Sequence, residues 1–156
     1  MRSDEYAWGR RMAEDREALE ERYRKAVEQK NNGEYEQAIP ELEALAGTDP
    51  EWAEVHLTLG LTYGFVGQFD ESLAALRRAV ELDPQSLDAH LNLAKTLCML
   101  GEYSQARAEF EAVLGLRPDH AEARKQLSYF PPEAPSGEPE ETPDAPPEPG
   151  TTPPAA

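Results

Sequence analysis

The sequence predicts an all-α fold in which tandem helical hairpins stack into a solenoid, and three observations predict it. Residues 19 to 118 fit one 34-residue register without a gap. Helix breakers fall at regular intervals between stretches of helical spacing. Leu, Ala and aromatic side chains occur at those spacings, whereas the β-branched residues that a sheet core draws on are scarce. The chain of 156 residues has room for one domain of ordinary size.

From Asp4 to about Asn31 the sequence lacks proline and is dense in Glu, Arg, Ala and Leu, with only Gly9 against helix. That composition predicts one or two abutting helices, with residues 1–18 as an N-terminal helical extension. Asn32-Gly33 then ends the helix.

Beyond that point the register carries the elements. Gly33, Gly67 and Gly101 align, as do Pro50, Pro84 and Pro118. Two residues after each glycine stands an aromatic, Tyr35, Phe69 or Tyr103, and five after it a small side chain, Ala38, Ser72 or Ala106. Leu42, Leu76 and Phe110 form one apolar column, and Leu45, Ala79 and Val113 another. Each column has a physical reason. Glycine supplies the left-handed backbone that ends a helix, the aromatic plugs the hairpin, and proline stops the second helix. Ala26, Gly60 and Ala94, each seven residues ahead of a turn glycine, are small enough for antiparallel helices to touch.

These columns resemble the tetratricopeptide repeat, whose pattern is a Leu-Gly or Leu-Ala pair, a tyrosine, Gly-x-Tyr/Phe-x-x-Ala, a large apolar residue, an alanine and a closing proline. The second unit, with Leu59-Gly60, Tyr63, Gly67, Phe69, Ala79 and Pro84, is nearly complete. The third has Leu97 in place of the tyrosine. The first carries Lys25 and Gln29 where the family has Leu and Tyr, and Pro40 inside its second helix, so its inner helix is expected to be displaced or covered by residues 4–18. The resemblance implies a right-handed superhelix with repeats at 19–52, 53–86 and 87–120, and a capping helix at 121–130 that is stopped by Pro131.

The remaining segment, 131–156, holds ten of the fourteen prolines, six acids and no Lys or Arg. Proline denies it helix and sheet pairing, and few apolar groups remain to offset ordering entropy, so a disordered, extended, solubilising tail is expected.

The same resemblance places the first helix of each hairpin along a concave groove. Tyr23 and Val27 approach it from the first unit, Leu57, Thr58, Leu61 and Phe65 from the second, and Leu91, Asn92, Lys95 and Met99 from the third, with Lys125 closing the far end. Leu57, Leu61, Phe65, Leu91 and Met99 make an apolar stripe. Four such side chains at roughly 2 kcal/mol each give about 8 kcal/mol gross, against an association cost of at least about 4, so millimolar to micromolar capture of a peptide or helix is expected. One variant of the family grips the C-terminal carboxylate of heat-shock chaperones with lysines, asparagines and an arginine. Here the corresponding places hold Tyr23, Val27, Thr58, Asp88 and Asn92, of which only Asn92 resembles that clamp.

Composition narrows the function further. With 31 acids against 15 bases the formal net charge is -16, which repels nucleic acid and anionic lipid. No apolar run suggests a signal peptide or a membrane span, so a soluble cytoplasmic chain is expected. His56 and His90 occupy equivalent positions that read as packing. Cys98 lies about 12 Å along the helix from His90, too far to share an ion. No phosphate loop, nucleophile elbow or Cys-x-x-Cys occurs, so neither catalysis nor a cofactor is expected. The leading reading is a non-enzymatic adaptor that binds a segment of another protein. One alternative is a secretion-type chaperone shielding apolar regions of a client. Another is a homo-oligomeric scaffold whose groove receives a neighbour's N-terminal helix.

Overall fold

The structure, a computed structural model, describes residues 2–131, with the backbone alone at residues 2 and 3. Among the described residues there are seven helices and no strand: α1 (Arg2–Asn31), α2 (Tyr35–Thr48), α3 (Ala53–Phe65), α4 (Phe69–Leu82), α5 (Leu87–Met99), α6 (Tyr103–Leu116) and α7 (Ala121–Leu127). Each packs on the next, giving three hairpins, α1/α2, α3/α4 and α5/α6, followed by the short α7. This is a solenoid of the tetratricopeptide-repeat type.

The turns repeat closely. Gly33, Gly67 and Gly101 have φ of 81°, 79° and 79°, and no other residue type adopts positive φ among the described residues. At each one the chain closes with the same pair of bonds. Gly33 donates to the Lys30 carbonyl and Glu34 to the Gln29 carbonyl, and the pattern recurs at Gly67/Gln68 and Gly101/Glu102. These bonds satisfy carbonyls that the end of the first helix would otherwise leave open.

Three apolar clusters run along the solenoid, two tying one hairpin to the next and one tying the last hairpin to α7. The first joins Ala26, Leu42 and Leu45 to Trp52, Val55 and Leu59. The second joins Leu76 to Leu93, Leu97 and Ala106. The third joins Leu91, Ala94, Phe110 and Val113 to Ala123 of α7. Gly60 marks the closest approach: a Cβ added there would stand 2.6 Å from Leu76 Cγ, so only glycine fits where α3 crosses α4.

The first hairpin departs from expectation. Residues 4–18 do not cover or displace its inner helix; they continue it as one helix of 30 residues. Nothing between Asp4 and Asn31 can end a helix, and Gly9 alone does not. Pro40 is accommodated inside α2, exposed on the outer face, where it lacks the N–H that would reach the Glu36 carbonyl. The disordered tail expected over 131–156 lies, apart from Pro131, outside the described residues.

Helix α7 starts in the same register as α3 and α5 but runs for 7 residues against their 13. Pro131 explains the early stop, because its ring would clash with the Leu127 carbonyl. Phe130 instead donates to Leu127 O in a tighter turn and turns its ring inward, 6.0 Å from Phe110 and 6.3 Å from Tyr103. The Arg107 guanidinium lies 5.5 Å from the Phe130 ring and donates to the Pro131 carbonyl.

Candidate protein-binding groove

The first helices of successive hairpins touch one another, α1 against α3 and α3 against α5, so they form one continuous face. Leu61, Phe65, Asn92, Lys95 and Met99 of that face converge on a cleft of about 190 Å³ between α3 and α5. Phe65 and Met99 are 60% and 64% exposed, unusual for side chains of their size, and Leu61 is half-buried beside them. Gly60 and Gly64 contribute only backbone to its floor, beside Ser72, Leu76 and Thr96. That floor is held by Ser72 Oγ, which donates to the Gly60 carbonyl (2.8 Å) and lies 3.3 Å from Thr96 Oγ1. Phe65 is propped from the side by Tyr35, whose ring stacks on it at 5.6 Å.

The other expected groove residues do not line this cleft. Leu91 is 8% exposed and sits with Phe110, Val113 and Ala123. Leu57 packs against the cluster around Leu76 and Leu93. Tyr23 and Thr58 share a 2.8 Å hydrogen bond, with the Tyr23 ring 5.1 Å from Trp52. Burial pushes the Tyr23 phenol above its ordinary value, against the opposing pull of the Thr58 bond. Val27 is half-buried, and Lys125 is exposed on α7. Two polar side chains at the cleft are already engaged. Asn92 Nδ2 donates to the Asp88 carbonyl (2.8 Å), and Lys95 Nζ pairs with Glu122 of α7 at 2.6 Å. A ligand group that takes Lys95 therefore displaces a half-exposed ion pair of modest strength.

Phe69 also lines the cleft, and the sequence reading did not include it. The signal was present: Phe69 aligns with Tyr35 and Tyr103 as the hairpin plug. Reading that column as interior hid the ring edge that faces the groove.

The two histidines act as ties between repeats. His56 Nε2 lies 2.9 Å from the Pro50 carbonyl, and His90 Nε2 lies 2.9 Å from the Pro84 carbonyl, so each pins the start of its helix to the preceding loop. His90 Nδ1 further meets Glu109 at 2.6 Å. Burial pushes the Cys98 thiol above its usual range, which makes it a poorer nucleophile and metal ligand. Among the described residues no three His, Cys, Asp or Glu side chains converge as a metal site, and no helix is long and apolar enough to cross a membrane.

Comparison with known proteins agrees with this geometry. A sequence model described as Tetratricopeptide repeat matches residues 66–128. No curated protein matches the chain. Among solved structures, the Yersinia enterocolitica type III secretion translocator chaperone SycD, in complex with a peptide of the translocator YopD, aligns with a TM-score of 0.64. It is 23% identical over 72% of this chain and 86% of its own. The second TPR domain of human RPAP3, in complex with an HSP70 peptide, aligns at 0.65 and 23% identity over 69% of this chain and 89% of its own. MamA from Desulfovibrio magneticus RS-1 aligns at 0.60 and 28% identity over 64% of this chain and 56% of its own.

Proposed function

Starting from membership of the tetratricopeptide repeat family, we propose that this chain is a non-enzymatic interaction module that captures an apolar helix or peptide of a partner protein in its concave groove. One observation carries the reading: Phe65 and Met99 stand exposed on either side of a cleft whose floor is glycine backbone. Large side chains left in water beside a preformed cavity are the pattern of a docking face, where one or two anchors dominate the binding. Leu61 and Phe69 extend the apolar surface, and Asn92 and Lys95 offer polar fasteners at its edge.

The module is expected to decline the heat-shock C-terminal peptides that related folds bind. At the clamp positions Tyr23 and Thr58 satisfy each other, Asn92 stands alone as a clamp-like amide with one N–H already given to the Asp88 carbonyl, and Asp88 brings a negative charge toward a carboxylate. A titration with a peptide ending in Glu-Glu-Val-Asp that saturates in the micromolar range would overturn this part.

Phe65→Glu and Met99→Glu together test the groove. A photo-reactive group placed at Leu61 is expected to crosslink a partner segment in native extract, and the double variant, with unchanged circular dichroism, is expected to lose it. Equal crosslinking by the folded double variant sinks the reading. The exposed apolar cleft also favours a second form of the same activity, in which the partner is a dedicated client kept soluble until export. In that case the client's half-life in the cell falls severalfold when Phe65 and Met99 are replaced, and an unchanged half-life argues for a simple adaptor.

A further inference from the structure

The inner face carries charge as regularly as it carries apolar side chains. Glu54, Thr58, Leu61 and Phe65 follow one another at steps of four, three and four residues, so they share one ridge of α3, and Asp88, Asn92, Lys95 and Met99 share the matching ridge of α5. Each of these helices opens a hairpin of the same register, so the two run in the same direction. The acids therefore stand side by side on one edge of the groove, and Phe65 and Met99 stand on the other. Eleven residues at about 1.5 Å each set the two edges about 16 Å apart.

The acidic edge has no cation of its own. Glu54 and Asp83 line one notch together with Ser86 at the start of α5, which brings a third carboxylate to this edge. Among the described residues none of Glu54, Asp83 and Asp88 takes part in an ion pair. Placement in the first turn of a helix keeps Glu54 and Asp88 stable as charges without a partner. Burial, and after it the Glu54 charge, push the Tyr23 phenol up, so this carboxylate stands on the groove side of α3. The cations of the inner face are engaged or lie apart. Arg24 pairs with Glu21 at 2.7 Å and Lys95 with Glu122 at 2.6 Å, while Lys30 and Lys125 belong to α1 and α7, outside the two ridges.

Given that the groove captures a partner segment, we propose that this segment is basic and two-ended: an apolar end seated between Phe65 and Met99, and Lys or Arg about 16 Å away on Glu54 and Asp88. In a helical segment the two ends are residues i and i+11, which fall on one face. The net charge of -16 draws such a partner in from a distance. A segment with acids in place of the bases meets three carboxylates that have no cation to share, so the edge that holds one class of partner repels the other.

The test uses the full chain and two dye-labelled helical peptides of alanine and glutamine. Both carry two leucines at one end; eleven residues on, one carries two lysines and the other two glutamates. Fluorescence anisotropy is expected to give a Kd about tenfold lower for the lysine peptide. Glu54→Gln with Asp88→Asn, both at exposed positions, is expected to bring the two Kd values within about twofold of each other, with circular dichroism unchanged. Phe65→Ser with Met99→Ser is expected to weaken both peptides. Equal Kd values for the native chain overturn the proposal and leave the groove reading standing. A preference that survives Glu54→Gln with Asp88→Asn also overturns it, and assigns the effect to the charge of the whole chain. Failure of both peptides to bind, or binding that ignores Phe65→Ser with Met99→Ser, removes the groove reading and the proposal together. Self-association of the native chain in sedimentation, abolished by Glu54→Gln with Asp88→Asn, overturns the proposal by giving the groove to a second copy.

Discussion

The first and middle hairpins share a register and close by different means. In the middle hairpin α3 and α4 approach so closely at Gly60 and Leu76 that a single methyl group does not fit. In the first hairpin Ala26 stands in the same column, fully buried opposite Leu42, and the outer edges are joined by charge: Arg22 meets Glu41 at 2.5 Å and Arg16 meets Asp49 at 2.9 Å. Exposed pairs of this kind contribute at most about 1 kcal/mol each, whereas close packing of a buried leucine contributes several. The difference teaches that the register decides which helices meet, and that the side chain in one column decides how tightly they close.

The sharpest break of this comparison is expected from the leucines. Leu76→Ala, opposite a residue with no side chain, leaves the larger void and is expected to cost about 4–5 kcal/mol in a denaturant melt, against about 2–3 for Leu42→Ala opposite Ala26. Gly60→Ala alone is expected to cost about 1–2 kcal/mol, the overpacking penalty less the better helix propensity of alanine. Combined with Leu76→Ala, its new methyl group fills part of the void, so the double variant is expected to lose less than the sum. Equal costs for the two leucines, or strict additivity in the cycle, would remove the distinction between the hairpins.

A gain of stability sharpens the comparison from the other side. Pro40 occupies a column where the later hairpins have Ala74 and Ala108, all three exposed. Pro40→Ala restores a backbone donor in the middle of α2 and is expected to stabilise the chain by about 1–3 kcal/mol, read as a higher midpoint of thermal unfolding. No gain would mean that α2 has already relaxed around the proline.

The smallest effect concerns the seam between the two hairpins, where the Tyr63 hydroxyl donates to the Glu43 carboxylate. Desolvation, together with the bond to Glu43 and its charge, pushes the Tyr63 phenol above its ordinary value. The folded chain thus holds this proton more tightly than the unfolded chain. The resulting stability is complete below about pH 10, the ordinary tyrosine value, and is lost as pH rises above it. Alkaline stability curves of Tyr63→Phe are expected to fall less steeply than those of the native chain. Identical slopes would show that the seam is open to solvent.

The hairpins themselves were legible because their determinants are local. A glycine that must be left-handed, a proline that must end a helix and a small residue at a crossing each act through backbone geometry, and each recurs three times. Three features were less legible. That residues 4–18 extend α1 depends on what is missing between Ala18 and Leu19, and absence of a break is weaker evidence than a break. The fate of Leu91 depends on how α7 lies over α5, a contact between segments of different length. The open face of Phe69 was hidden because a plug and a groove wall are the same ring seen from two sides.

The three turn glycines, at φ values within 2° of one another, also bear on how such a chain can change length. A segment that begins and ends at equivalent points of identical turns can be duplicated or removed without altering the direction in which the chain leaves. Insertion of a second copy of residues 68–101 after Gly101 would add one rung to the ladder and lengthen the open face by one helix width, while both ends keep their present form. The turn geometry makes the reach of this protein adjustable in whole units, independently of the chemistry displayed on any one of them.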